Sequence, residues 1–262
     1  MLISSTRFRF CSLLLLAYAG LALSPRLHAQ GTTLLLWPIQ QVIESDRNGS
    51  ALWIENRGQR EAFIQVRVFA WDQSAFRDSY SPQQQVIASP QVAKVPPGQR
   101  QLIRLMRLSP IANGQEQAFR VVVDDIPPAQ GNASKSDTVG LTFQMRYSLP
   151  LFLDGPGIWT KPDPRRSRTT SAATPILDWR IVNEGEQRYL LVRNRGPVHA
   201  RLSQVRWQVS EGVNKTLAEG LLGYVLPGRE MRWPLKELQV DERWPLHAKL
   251  ADNAAPSTIA HQ

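Results

Sequence analysis

The side chains that could carry out catalysis or hold a metal ion are few and scattered. Three histidines follow residue 29, and they lack the spacing of metal ligands: His199, His247 and His261. Asp124 and Asp125 are adjacent carboxylates, but consecutive residues of a strand point to opposite faces, so they should not form a catalytic pair. The sequence also has no GxSxG motif, P-loop or GxGxxG motif. It therefore predicts no enzyme, no metal site and no cofactor.

A long segment of strict alternation stands out instead. Residues 139–153, VGLTFQMRYSLPLFL, have apolar side chains at every odd position, while even positions from 140 to 150 are small, polar, charged or proline. A period of two predicts a β-strand, and this one exceeds the usual length of about 5–6 residues. One face of the strand is entirely apolar, so it needs either the protein's own core or a partner to cover it.

The N-terminus has the order of regions that defines a secretory signal peptide. A basic start with two arginines precedes an apolar run over residues 11–23, and the small residue Ala29 closes the segment. The run is short for a membrane anchor and is followed by the helix-breaking pair Ser24-Pro25. We therefore expect cleavage near Ala29, export, and no membrane insertion of the mature chain.

The mature chain is predicted to be basic and free of thiols. Removing the first 29 of 262 residues leaves 233, takes away the only cysteine, Cys11, and lowers the formal net charge from +9 to +6. A disulfide, a thiolate nucleophile and a cysteine-ligated metal are then excluded. The arginines are spread along both halves, and no nucleic-acid-binding module is recognisable. We expect no nucleic-acid partner.

Short apolar segments separated by turn residues follow one another from residue 32. The first, TTLLLWPIQQVIE, contains Pro38, which cannot donate to a ladder, so this strand should be an edge, bent, or both. EAFIQVRVFAW and EQAFRVVVDDIPP alternate clearly, and Asn48-Gly49 and Pro96-Pro97-Gly98 mark turns. The pattern predicts an all-β fold of the antiparallel sandwich type.

Two changes in composition divide the chain. Residues 127–138, PPAQGNASKSDT, are rich in turn residues and predict a mobile loop. Residues 154–174 combine Gly-Pro-Gly with a basic cluster and predict an interdomain connection or a large loop. After the signal peptide over residues 1–29, we therefore expect one domain over 30–153 and a smaller β domain over 175–262.

The ordered series of segments resembles the PapD-like periplasmic chaperones of the chaperone–usher pathway, which assemble pili. The first domain of that family is matched by LLLWPIQQVIE, ALWIENRG, FIQVRVFAWDQ, SPQVAKVPPGQRQLIRL, FRVVVDDIPP and FQMRYSLPLFL. ARLSQVRW and GYVLPG resemble its second domain. The most similar subgroup is the archaic one, whose chaperones serve Csu-type and spore-coat-U-like pili.

The resemblance implies two immunoglobulin-like β-sandwich domains in an L-shaped arrangement, located in the periplasm. Such a chaperone binds pilus subunits one to one and completes their fold by donor-strand complementation. It also prevents premature polymerisation and delivers each subunit to an outer-membrane usher. Residues 139–151 take the position of the donor strand. The odd positions nearest the loop would contact the subunit: Val139, Leu141, Phe143 and Met145. The later ones would fill the chaperone's own core: Tyr147, Leu149 and Leu151.

The family also uses two basic residues at the base of the interdomain cleft to bind the C-terminal carboxylate of the subunit. An alignment without gaps puts those positions at Gln40 and Pro150, and neither residue is cationic. Arg104 and Arg146 are candidate replacements because of their proximity in the predicted sheets. Each of the two could equally have a structural or a purely solvated role.

The first strand offers another candidate contact. Leu34 and Leu36 alternate on one face of a predicted edge strand. This strand could pair with the other border of the subunit, or it could close the chaperone's own sheet. An exposed edge can also pair with a second copy of the chain, so self-association of the free protein is left open.

Two other functions are compatible with an exported β-sandwich. A pilus subunit or adhesin could use TTLLLWPIQQVI as its own donor extension, but such proteins usually carry cysteines and lack a strand, whereas this chain has a second domain. A carbohydrate-binding β-sandwich could use the eight tryptophans. These tryptophans lie within strand patterns, which favours core or corner positions over a sugar-binding platform.

Overall fold

The computed structural model describes residues 33–126, 144–159, 173–251 and 255–262. Throughout these ranges the regular secondary structure is β-strand, and the strands form three sheets. Two sheets enclose one apolar core, and the third folds around a second core. We call the two resulting β-sandwiches the N-terminal domain, with strands between residues 34 and 154, and the C-terminal domain, with strands between residues 177 and 261.

The described part of the N-terminal domain has ten strands in two sheets. They are β1 (Leu34–Trp37), β2 (Gln41–Ile43), β3 (Gly49–Asn56), β4 (Ala62–Ser74), β5 (Arg77–Ser81), β6 (Val86–Ser89), β7 (Val92–Val95), β8 (Arg100–Arg107), β9 (Glu116–Asp125) and β10 (Arg146–Asp154). One sheet has the order β1-β3-β8-β6. The other has the order β2-β10-β9-β4-β5, with β7 also paired to β4. The pairs are antiparallel except β2–β10, which is parallel.

The alternation in the sequence corresponds to the buried face of these strands. Ile64 and Val66 of β4 are buried, as are Phe119, Val121 and Val123 of β9. The side chains at the intervening positions point to the other face, as the period of two requires. The predicted strands at these two segments are therefore confirmed, together with the faces that they bury.

Pro38 divides the first segment between the two sheets. β1 ends at Trp37 and pairs only with β3, at the edge of the four-stranded sheet. After the break, β2 joins the other sheet and pairs with β10 at that sheet's edge. The prediction of an edge strand bent at Pro38 is confirmed.

The described part of the C-terminal domain has seven strands in one continuous sheet. They are β11 (Leu177–Glu184), β12 (Gln187–Asn194), β13 (Ala200–Ser210), β14 (Val213–Val225), β15 (Glu230–Pro234), β16 (Leu246–Lys249) and β17 (Ser257–His261). Their order is β14-β13-β16-β17-β11-β12-β15. β17 pairs antiparallel with β16 and parallel with β11, so it joins the two layers that enclose the second core.

Both domains contain a buried asparagine with the same pattern of hydrogen bonds, although the sequence shows no repeat of fixed period. Asn56 and Asn194 each end a strand within the tripeptide Asn-Arg-Gly, and both are fully buried. In each case Oδ1 accepts a hydrogen bond of 2.9 Å from the backbone N–H of the glycine two residues later. Each side-chain amide also donates to the carbonyl four residues later, Arg60 or Val198.

The second donor bond of each asparagine crosses to a distant turn. Asn56 Nδ2 donates to Val95 O at 2.8 Å, and Asn194 Nδ2 donates to Val225 O at 3.0 Å. These valines begin the sequences VPPG and VLPG, whose glycines have positive φ and donate their N–H groups back to the carbonyls of the same two asparagines. The two domains therefore connect corresponding strands by corresponding contacts.

The predicted domain boundaries are not decided by these strands. β10 ends at Asp154 and β11 begins at Leu177, while residues 160–172 of the predicted connection lie outside the described ranges. The division into 30–153, 154–174 and 175–262 stays a prediction.

We predict that Asn56→Ala and Asn194→Ala each lower the free energy of unfolding by about 2–4 kcal/mol. Each substitution removes the side-chain donor of two backbone carbonyls, and three of these four hydrogen bonds are buried. Urea denaturation of the purified protein measures the loss. Asn214→Ala, at an exposed position of β14, is the control and should change stability by less than about 0.5 kcal/mol. Equal effects of the three substitutions would contradict the structural role of the two buried asparagines.

Candidate functional site

The strand that ends the alternating segment has one free edge. β10 pairs with β9 along its whole length, from Arg146 to Asp154. On its other side, β2 pairs only with Leu151–Leu153, and no other described strand covers residues 146–150 there. Backbone N–H and C=O groups along a free edge can pair with an added strand. The first half of β10 therefore offers a position for one more strand.

The predicted subunit-binding face reaches the described part of the chain only at its end. Outside the described residues lie Val139, Leu141 and Phe143. Met145, just before β10, is 46% exposed. Tyr147 packs against the N-terminal core, and Leu149 and Leu151 are buried in it, which confirms the core role predicted for these three. The apolar face thus passes from the exposed side chain of Met145 to the buried one of Leu149 within four residues.

Two arginines hold the beginning of β10 to its neighbours. Asp124 of β9 accepts hydrogen bonds from Arg67 Nη2, at 2.7 Å, and from Arg146 Nε. Partial burial favours the protonated form of this carboxyl, but the hydrogen bonds and charges of the two arginines outweigh it and hold the pKa of Asp124 below its usual value. Asp124 is therefore an ionised carboxylate with a structural role, bound by one arginine of β4 and one of β10.

The alternating leucines of the first strand point into the N-terminal domain. Leu34 is 7% exposed and Leu36 is 6% exposed, and both belong to its core. β1 is nevertheless an edge strand, so its backbone has a free side. Any pairing of β1 with a subunit would use this backbone, because the two leucine side chains already contact the protein's own core.

A cavity of about 390 Å³ lies where the free edge of β10 ends. The N-terminal domain contributes Ser148–Pro150, together with Gln40 and Arg120. The C-terminal domain contributes Arg201 and part of β14. The cavity is therefore a cleft between the two domains, and an added strand that followed β10 would run into it.

Arg120 gives this cavity a positive charge. Its guanidinium carbon lies 3.8 Å from the centre of the Trp71 ring and 5.5 Å from that of Tyr224. Its Nε is buried and has no hydrogen-bond partner among the described residues. Arg201 lies in the same lining, and its Nη1 donates to Ser203 Oγ at 3.2 Å. Two guanidinium groups thus line the cavity, and their positive charge favours an anion that enters it.

Asp78, the acidic residue that lines the cavity, accepts three hydrogen bonds from neighbouring side chains. Asp78 Oδ1 accepts from Trp71 Nε1 at 2.9 Å and from Gln73 Nε2 at 3.0 Å, and Oδ2 accepts from the Tyr80 hydroxyl at 3.3 Å. Partial burial raises the pKa of Tyr80, and the charge of Arg120 opposes this shift. Tyr80 therefore keeps its proton at neutral pH and can donate to Asp78.

The two sequence positions aligned with the family's carboxylate-binding residues line the cavity, whereas the two arginines suggested as replacements do not. Gln40 and Pro150, the aligned positions, do line one cavity. Arg104 is exposed on β8 in the other sheet, and Arg146 pairs with Asp124; neither lines the cavity. The cations found in it are Arg120 and Arg201, which the sequence reasoning missed. Their strand patterns resemble those of solvated charges, so only the position of the second domain reveals them.

The end of β10 also forms the interface between the domains. Phe152 is fully buried there, and its ring stacks on that of His199, with centroids 3.4 Å apart and planes 4° apart. His199 Nδ1 lies 2.8 Å from Glu116 Oε2, and its backbone N–H donates to Glu116 Oε1. Gln40 Nε2 lies 3.2 Å from the other ring nitrogen. One histidine of the C-terminal domain thus contacts three elements of the N-terminal domain.

Gln73 connects the domains in the manner of a short ladder. Its Nε2 donates to Tyr224 O and its Oε1 accepts from Leu226 N, both at 2.9 Å. Beside it, Arg229 Nε and Nη2 donate to the two oxygens of Asp72 at 2.8 and 3.0 Å. These contacts surround an apolar cluster formed by Trp71, Phe152, Tyr224 and Leu226. Polar and apolar contacts together fix the cleft that contains the cavity.

The tryptophans in the described ranges serve mostly as packing residues. Trp179 and Trp207 are buried in the C-terminal core, and Trp71 is buried at the interface. Trp53 is 36% exposed and stacks on Trp37, with ring centroids 6.4 Å apart.

The described ranges contain no group of three or more histidine, cysteine, aspartate or glutamate side chains that could hold a metal ion. They also contain no helix long and apolar enough to cross a membrane.

Comparisons with known proteins agree with this architecture. Residues 38–158 match the family described as pili and flagellar-assembly chaperone, PapD N-terminal domain. The crystal structure of the CsuC–CsuE chaperone–tip adhesion subunit pre-assembly complex, from the archaic chaperone–usher Csu pili of Acinetobacter baumannii, contains a chain that is 31% identical with a TM-score of 0.71. The match covers 88% of this chain and 99% of that one.

Two further solved structures share the fold at low identity. The YadV chaperone is 16% identical with a TM-score of 0.59, and the match covers 86% of this chain and 99% of that one. The Escherichia coli chaperone DraB is 19% identical with a TM-score of 0.56, and the match covers 89% of this chain and 98% of that one. No curated protein sequence gave a significant match.

Fold and cleft together define a two-domain, immunoglobulin-like β-sandwich protein, and the predicted all-β fold class is confirmed. The chain belongs to the PapD-like family of pilus-assembly chaperones and is of the archaic type.

We predict that Gln73→Ala weakens the contact between the domains by about 2–4 kcal/mol, because it leaves Tyr224 O and Leu226 N unpaired in a buried interface. Urea denaturation should then resolve two unfolding transitions in place of one. Gln84→Ala, at an exposed position, should leave the profile unchanged. If Gln73→Ala keeps a single transition with the wild-type midpoint, Gln73 does not hold the domains together.

Proposed function

We propose that this protein is a periplasmic chaperone that binds pilus subunits one to one and completes their fold with residues 139–151. It caps each subunit against premature polymerisation and delivers it to an outer-membrane usher. The observation that carries the proposal is the free edge of β10 over residues 146–150, which ends at a cavity containing two arginines. Membership of the chaperone family and the similarity to a chain of the CsuC–CsuE complex support it.

A strand added to this edge would satisfy both needs of an incomplete subunit. The backbone of the subunit strand would pair with β10 and the segment before it. Side chains at alternate positions of that segment of the chaperone, about 6.6 Å apart, would fill the open groove of the subunit. Burying Val139, Leu141, Phe143 and Met145 contributes about 6–12 kcal/mol. Association costs about 4–15 kcal/mol. Because the two amounts are comparable, main-chain pairing must supply much of the net affinity.

The charge of the cavity sets the direction of the bound strand. Arg120 and Arg201 favour an anion, and the C-terminal carboxylate is the anion that ends a polypeptide. A subunit strand that ends at Ser148–Pro150 with its carboxylate there runs parallel to β10, as β2 does one step further along the same edge. We therefore infer that Arg120 and Arg201 take the anchoring role at this cleft.

Release then needs no nucleotide. The N-terminal extension of the next subunit can replace the donor segment strand for strand, so that the same number of pairing positions is lost and gained. Partial exposure of Met145, at the beginning of the edge, is consistent with a segment that can be displaced from this end.

We predict that Phe143→Asp abolishes recovery of the subunit in a complex, because a carboxylate cannot enter an apolar groove without a large loss of solvation free energy. Co-expression in the periplasm with pilus subunits encoded beside this chain, followed by co-purification, measures recovery. Gln144→Asp, one position along on the opposite face, is the matched control and should keep recovery near the wild-type level. Equal recovery with the two variants would remove the basis for the proposal.

We predict that Arg120→Gln and Arg201→Gln each reduce recovery of the complex about 10- to 150-fold, as expected for loss of a charge-assisted hydrogen bond. Adding two glycines to the C-terminus of the subunit should reduce recovery similarly in the wild type and have little further effect in the variants. Arg104→Gln and Arg146→Gln test the two candidate replacements named from the sequence. A loss confined to these two would show that the anchor lies outside the cavity.

A further inference from the structure

The wall that the C-terminal domain gives to the cavity is apolar and partly open to solvent. Leu221 of β14 is 51% exposed, and Ile39 of the N-terminal domain is 62% exposed; both line the same cavity. The same cavity is also lined by Leu222, Met231 and Trp233, which are half-buried. Single exposed apolar residues are common on protein surfaces, but several that line one cavity form a surface suited to an apolar guest.

The wall is held in place by the close packing of two strands. A Cβ at Gly223 would lie 3.0 Å from Trp233 Cζ2, so the absence of a side chain at this position lets the indole lie against β14. Met231, Trp233 and Leu222 also pack on the C-terminal core. Among the wall residues of the C-terminal domain, Leu221 is the most exposed and is not part of the C-terminal core, so it can contact a guest without being needed for that core.

The sheet limits what can reach this wall. β2 occupies the edge of β10 from Leu151 onward, so a strand paired with residues 146–150 cannot continue along β10 beyond Pro150. The residue of a guest that faces the cavity must therefore be its last residue, or the chain must turn away there. The two arginines favour the first case, since they offer a binding site for a terminal carboxylate.

We propose that the wall formed by Ile39, Leu221, Leu222, Met231 and Trp233 selects the last side chain of the bound subunit and favours a large apolar one. The inference rests on the function proposed above and adds to it the chemistry of the subunit's C-terminus. The carboxylate binds the arginines while the side chain of the same residue covers Leu221 and Ile39. In this arrangement the C-terminal domain helps to choose which subunit is bound.

The test uses the mature chain co-expressed with a pilus subunit encoded beside it, whose last residue is changed in turn to Phe, Leu, Ser and Asp. Recovery of the complex with Phe or Leu should exceed recovery with Ser by about 5- to 20-fold, the difference expected from burial of one large apolar side chain. Leu221→Ser and Ile39→Ser should each reduce this preference to about twofold or less. Val213→Ser removes an equally exposed apolar side chain, 52% exposed, from the same strand and should leave the preference intact.

The outcomes separate this inference from the function on which it rests. If a complex forms and is lost with Phe143→Asp, but the preference is absent or survives Leu221→Ser and Ile39→Ser, the wall does not select the last residue and the chaperone function stands. If no subunit is recovered, or recovery is unaffected by Phe143→Asp, both are wrong. Loss of the preference with Val213→Ser as well would also overturn the inference, because a residue remote from the cavity would then have the same effect.

Discussion

Backbone hydrogen bonding along β10 is the constraint on which the rest of the molecule depends. Among the described strands, β9 pairs with one side of β10 throughout, while β2 pairs with the other side only at Leu151–Leu153. The end of the strand is thus fixed in the sheet, and its beginning has backbone groups that need either water or a partner strand. A strand half fixed and half free can be offered to another protein without unfolding its own domain, since Leu149 and Leu151 stay in the core.

The same strand connects the free edge to the interface between the domains. Phe152 lies against His199, and the hydrogen bonds of Gln73 and Glu116 hold the C-terminal domain beside it. The cavity at Ser148–Pro150 is therefore bordered by groups whose relative positions depend on this interface. Arg120 stacks on Trp71, a member of the interface cluster, so the position of Arg120 in the cavity also depends on the interface. Affinity at the cavity and stability of the interface should respond together to substitutions in this region.

The two domains have the same buried asparagine contacts but expose different surfaces. Asn56 and Asn194 make corresponding contacts with corresponding turns, which indicates two versions of one β-sandwich plan. The N-terminal version offers a free strand edge. The C-terminal version contributes Arg201 and an apolar wall to the cavity, in addition to supporting the first domain. The proposed role of the second domain in selecting subunits rests on this division.

Local pattern was sufficient to predict the strands, the bend at Pro38, the buried faces of β4 and β9, and the core roles of Tyr147, Leu149 and Leu151. These features depend on the alternation of apolar residues and on turn residues, both of which are determined by neighbouring positions in the sequence. The buried asparagines can also be recognised in the sequence, since Asn-Arg-Gly and a Pro-Gly turn occur in both domains. The cations of the cavity cannot be recognised in this way: Arg120 and Arg201 alternate with apolar residues as any solvated arginine would. They line one cavity because the outer face of one sandwich packs against the other. Two residues 81 positions apart are brought to the same cavity by the packing of whole domains and not by local sequence.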